Sequence, residues 1–96
     1  MGILTKDDIV KQLNVQLTNC MNNELFVTIH MNKDGVEMRN CIIPEDVYIT
    51  QQEIHIESGL FQINIDNDIN EIKFIEIENS YHIKGYNNLD LNLDFV

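Results

Sequence analysis

Between Leu25 and Phe95 the apolar residues of this chain recur at every second position in short runs, each closed by turn-forming residues. A strand presents successive side chains to opposite faces, so a period of two dictates half-buried β-strands and argues against helix. The first run sets Leu25, Val27, Ile29 and Met31 on one face and Phe26, Thr28, His30 and Asn32 on the other. Asp34-Gly35 follows, a dipeptide suited to the left-handed backbone of a tight hairpin, and Val36, Met38, Asn40 and Ile42 form the matching face of the return strand. A two-residue loop there predicts Met31 opposite Met38 and Val27 opposite Ile42, and a four-residue loop, Asn32-Lys33-Asp34-Gly35, keeps the same faces.

The same alternation continues to Phe95. Pro44 opens a turn through Glu45 and Asp46 into a short strand, Val47-Tyr48-Ile49. After Gln51-Gln52, Ile54 and Ile56 alternate with Glu53, His55 and Glu57, and Ser58-Gly59 leads into Leu60, Phe61, Ile63 and Ile65, a second hairpin. Asp66-Asn67-Asp68 marks a turn, and residues 72–77 a strand whose parity shifts between Phe74 and Ile75. Asn79-Ser80 turns the chain into Tyr81-His82-Ile83, and Gly85 and Asn87-Asn88 interrupt it again. Leu89, Leu91, Leu93 and Phe95 alternate with Asp90, Asn92 and Asp94 in the cleanest amphipathic strand of all.

Ahead of this region the pattern differs. Thr5-Lys6-Asp7-Asp8 has the form of a capping box with Asp in place of Glu, and two carboxylates in a first turn suit the positive end of a helix dipole. Ile9, Leu13, Leu17 and Cys20 or Met21 then share one helical face. The spacing predicts a helix over about 6–17; beyond it, Leu13, Val15 and Leu17 also alternate with polar residues, so a short strand after a two-turn helix competes. The fold class is mostly β (α+β): one N-terminal helix before a small antiparallel barrel or sandwich of seven or eight short strands spanning about 25–96. No linker or low-complexity run divides residues 1–96, which predicts one domain.

Charge narrows the function classes. The 96 residues carry 16 Asp and Glu against 6 Lys and Arg, a formal net charge of −10. Residues 1–44 hold five acids and four bases, a net of −1, whereas residues 45–96 hold eleven acids and two bases, a net of −9. Direct nucleic-acid binding needs clustered Lys and Arg, and an anionic membrane surface attracts the same residues, so both are disfavoured. Apolar runs are too short to span a bilayer, and residues 1–20 are interrupted by charge where a signal peptide would be apolar. The sequence therefore predicts a cytoplasmic protein in which Cys20 and Cys41 stay reduced. Absence of Ala beside abundant Asn and Ile suggests AT-rich coding, as in a low-GC bacterium or its phage.

No motif for chemistry emerges. Asp66, Asp68 and Asn70 place oxygens as a calcium loop begins, but Glu71 stands where Gly is needed and Ile77 where a bidentate Glu is needed. His30, His55 and His82 lie on three strands without ligand spacing, and the cysteines form no C-x-x-C pair, so neither metal nor cofactor is predicted. Ser58 and Ser80 fall in turns, and the acid pairs Glu76 with Glu78 and Glu53 with Glu57 are what any amphipathic strand produces on its solvated side. The expectation is a module that is not an enzyme and that presents Glu53, Glu57, Glu71, Glu76, Glu78, Asp90 and Asp94 to a basic surface of a partner protein. Acidity that only keeps strand edges soluble accounts for the same residues. Where the partner surface normally holds nucleic acid, the module would act as a decoy, in its sharpest form a phage inhibitor in the manner of anti-CRISPR proteins. The alternative is a self-assembling β domain joined into a homo-oligomer through exposed Phe26, Phe61 or Tyr86.

Overall fold

The computed structural model describes residues 5–66, 69–85 and 88–95. The first element among the described residues is the helix α1 (Lys6–Asn23), set by its own first turn: the Thr5 hydroxyl accepts from the Asp8 amide at 3.1 Å while Asp8 accepts from the Thr5 amide at 3.1 Å. That reciprocal pair satisfies two amides that a helix start otherwise leaves without partners. The helix runs past residue 17 because Leu13, Leu17 and Cys20 continue one buried stripe, which overrides the local alternation that allowed a strand. Glu24, at φ 54°, ends it in the left-handed conformation.

Among the described residues eight strands follow: β1 (Val27–Lys33), β2 (Val36–Ile42), β3 (Asp46–Ile49), β4 (Glu53–Ser58), β5 (Phe61–Asp66), β6 (Ile69–Ile75), β7 (Ser80–Gly85) and β8 (Leu89–Phe95). Their pairings are antiparallel and form two sheets that do not close into a barrel. The larger has the order β2-β1-β8-β7-β6 and the smaller β3-β4-β5. Asp34 and Gly35 both take positive φ, at 52° and 83°, in a two-residue loop, the shorter of the two the sequence allows, and Met31 faces Met38 and Val27 faces Ile42. Gly59, at φ 59°, opens the β4–β5 loop, a backbone that L side chains rarely adopt.

One core fills the space between the sheets. The inward residues Val47, Ile49, Ile54, Ile56, Ile63 and Ile65 of the smaller sheet join Val27, Ile29, Tyr81, Ile83, Leu91 and Leu93 of the larger and the α1 stripe in a single cluster. The helix packs on β3 of one sheet and β6 of the other, so it bridges them. Each fully buried Leu or Ile there contributes about 1.5–3 kcal/mol. Strand β8 shows the expected alternation in full, with Leu89, Leu91, Leu93 and Phe95 buried between β1 and β7.

Four sequence expectations need correction. Leu25 precedes β1 and is exposed, because the chain is still leaving the helix there. The β1–β2 hairpin keeps its register but overhangs the core: Val36 and Asn40 are exposed and Ile42 alone of the β2 inward set is buried. The parity shift in β6 lies between Ile69 and Glu71 and not between Phe74 and Ile75, which pair continuously with Tyr81 and Ser80. Residues 76–78 are a 3-10 turn, closed by the Asn79 amide donating to the Glu76 carbonyl at 3.2 Å, which leaves Ile77 99% exposed.

Both cysteines are free, Cys20 buried and Cys41 exposed. Burial pushes the Cys20 thiol above its ordinary pKa. No helix among the described residues is long and apolar enough to cross a membrane.

Candidate protein-binding face

Strands β3, β4 and β5 turn their isoleucines and Val47 inward, so strict alternation sends Asp46, Tyr48, Glu53, His55, Glu57, Gln62 and Asn64 outward. Register arranges these side chains in cross-strand rows. Asp46 faces Glu57, which faces Gln62; Tyr48 faces His55, which faces Asn64. His55 is held on both sides: Nδ1 lies 2.6 Å from Asn64 Oδ1 and Nε2 lies 3.4 Å from Glu53 Oε2. The Tyr48 and His55 rings sit 6.0 Å apart, centre to centre. The seven residues line a shallow depression of about 330 Å³.

What sets this face apart is its charge. No Lys or Arg occurs between Arg39 and Lys73, a run that contains the whole smaller sheet. Asp46 and Glu57 are like charges directly opposite on neighbouring strands, an arrangement that costs stability, and the sheet holds no Lys or Arg to offset it. The depression is lined by carboxylates, amides, an imidazole and a phenol, with Ile56 of β4 as its apolar member. Such a surface can accept hydrogen bonds and attract cations.

The outward face of the larger sheet differs. Two of its acids stand beside a base: Lys84 is registered between Glu71 on β6 and Asp90 on β8, and the Lys73 ammonium lies 3.3 Å from Glu71. The next row across all five strands reads Arg39, His30, Asn92, His82 and Lys73. Two of the three histidines therefore share this face, separated by Asn92, while His55 is on the other sheet. Among the described residues no group of three His, Cys, Asp or Glu could hold a metal ion. The calcium-like run at Asp66 to Glu71 lies partly outside the described residues.

The seven acids expected to act together are thus divided. Glu53 and Glu57 belong to the smaller sheet, Glu71, Asp90 and Asp94 to the mixed face of the larger, and Glu76 and Glu78 to the 3-10 turn, not to a strand face. Asp46, Tyr48, Gln62 and Asn64 join the face without having been singled out from sequence. Their signal was present, since each is out of phase with the isoleucines of its own strand. Of the aromatics considered for self-assembly, Phe26 is exposed, Phe61 packs partly against the core, and Tyr86 lies outside the described residues.

Comparison of the chain with protein-family models, with curated proteins and with solved structures finds no match.

Proposed function

We propose that the chain is a protein-binding module without enzymatic activity, which docks the outward face of β3–β5 on a basic surface of another protein. The observation that carries this reading is the charge of that face: Asp46, Glu53 and Glu57 stand together in a sheet without Lys or Arg, with the imidazole of His55 beside Glu53, whereas Glu71 and Asp90 of the larger sheet stand beside Lys73 and Lys84. A like-charge pair kept at a cost in stability makes sense where a cationic partner neutralises it. Tyr48, 56% exposed beside that pair, supplies the amphipathic aromatic that interfaces favour. If the partner's basic surface serves nucleic acid, the module excludes nucleic acid from it and acts as a decoy.

The test is affinity capture by the tagged protein from nuclease-treated lysate of a low-GC bacterium, with washes of rising salt. Three baits are compared: the native chain, an Asp46→Lys and Glu57→Lys double variant, and a Glu76→Lys and Glu78→Lys double variant. The reading expects a basic protein that elutes with salt, is lost from the first variant with at least about a tenfold drop in affinity, and stays on the second. Equal retention by the first variant and the native chain overturns it.

A further inference from the structure

Among the described residues each sheet has two outer strands, β2 and β6 in the larger and β3 and β5 in the smaller. An outer strand presents unpaired backbone amides and carbonyls, and proteins blunt such edges with short strands, bulges, proline or charge. β3 has only four residues and packs on α1; β6 packs on α1 too and its register shifts between Ile69 and Glu71. β5 belongs to the sheet without Lys or Arg, where a second copy would meet like charge. β2 has none of these devices: its seven residues pair with β1 in unbroken register and include no Pro or Gly. In a two-residue hairpin the flanking residues, here Lys33 and Val36, exchange both backbone hydrogen bonds, and such pairs alternate along the ladder. Val36, Met38, Asn40 and Ile42 thus turn their amides and carbonyls to β1, and Glu37, Arg39 and Cys41 turn theirs to the open side.

The charge of this edge is self-complementary. Glu37 and Arg39 are its only charged residues, both exposed, and Arg39 has no carboxylate partner among the described residues. Two copies of β2 meeting antiparallel about a two-fold axis at Met38 set Glu37 of each opposite Arg39 of the other. These are the residues whose backbone groups face the open side, so one register both forms hydrogen bonds and opposes unlike charges. Centring the axis on Glu37 or on Arg39 sets like charges opposite, which destabilises, and centring it on Asn40 leaves neither with a counter-charge. On the inner face Met38 meets its own copy, with Val36 of each chain diagonal to it. Val36 is 71% exposed in the single chain because the hairpin overhangs the core, which also leaves that face open. Residues 27–42 hold two bases, Lys33 and Arg39, and two acids, Asp34 and Glu37, a net of zero in a chain of −10, so two copies approach here without the repulsion of the acidic sheet. We infer that the chain forms a two-fold dimer in which β2 pairs with β2 of a second copy about Met38, joining the two larger sheets into one. The dimer uses no residue of β3–β5 and does not rest on the reading above.

The test is sedimentation of the full chain from about 1 μM to 1 mM, the range in which a small edge-to-edge interface shows itself. Arg39→Glu and Glu37→Arg should each weaken the dimer at least about tenfold, since two symmetry-related pairs turn from unlike to like charge at once. Glu37→Arg also lowers the net negative charge, so weakening there cannot come from general repulsion. The double variant Glu37→Arg with Arg39→Glu should dimerise like the native chain, and an equimolar mixture of the two single variants should recover the association as a mixed dimer. Because both residues are exposed, the variants should keep the native circular dichroism; where one does not, Met38→Cys in a Cys41→Ser background replaces it. Across the axis the two Met38 Cα atoms stand about 4.5 Å apart, so oxidised glutathione should link two copies through Met38→Cys and not through Asn40→Cys. A chain that stays monomeric over the whole range, single variants that associate as tightly as the native chain, a double variant as weak as the single ones, or growth beyond the dimer would each overturn the proposal.

Discussion

Asp46 and Glu57 face each other on β3 and β4 with no Lys or Arg in their sheet, and the balance of costs at that pair can be measured. Replacing Asp46 by Asn keeps the shape and removes the repulsion. The variant should be more stable than the native chain by roughly 0.2–1 kcal/mol at low salt, with the gain shrinking as salt screens the pair. Denaturant melts at two ionic strengths check this; a stability loss would mean the two carboxylates do not repel. Tyr81 offers a second residue-scale check. Its ring is fully buried against Phe74 and Phe95, and burial pushes its phenol above the ordinary value of 10.0, with the Gln12 side chain pulling slightly the other way. A raised folded-state pKa means that the unfolded chain loses this proton first, so the Tyr81 contribution is intact below pH 10 and drains away as pH rises above it. Tyr81→Phe should flatten the alkaline fall in stability, and an unchanged pH profile would show that the phenol does not carry it.

At the scale of the elements, the strands and hairpins were legible because their information is local. Asp34-Gly35 fixed the β1–β2 register, and the alternation of Leu89 to Phe95 fixed which side of β8 is buried. The end of α1 was not legible, since residues 13–17 fit both periods and only the core decides between them. Leu17 is fully buried on the helical stripe, so Leu17→Ala should cost about 2–5 kcal/mol and lower the thermal midpoint accordingly. A near-neutral result would mean that the last turns of α1 do not anchor the fold. Glu76 and Glu78 were read as strand residues because Ile75 and Ile77 alternate; the 3-10 turn closed by Asn79 put Ile77 in solvent instead. Local alternation cannot reveal a turn whose cause is a single left-handed Asn.

At the scale of the whole molecule, the division of strands into two sheets and of charge between two faces depends on pairings far apart in sequence. Strand β8 is last in the chain yet sits between β1 and β7, and it brings Asp90 beside Lys84. Counting charge by halves of the chain therefore pooled acids that the fold separates: Glu71 and Asp90 gain lysine neighbours, while Asp46, Glu53 and Glu57 lie in a sheet without Lys or Arg. The most direct test of the binding face follows the amides of the labelled chain as the captured basic partner is added. The account predicts perturbations at Asp46, Tyr48, His55, Glu57 and Asn64 that fade with salt; perturbations centred on the outward row of His30, Asn92 and His82 would contradict it.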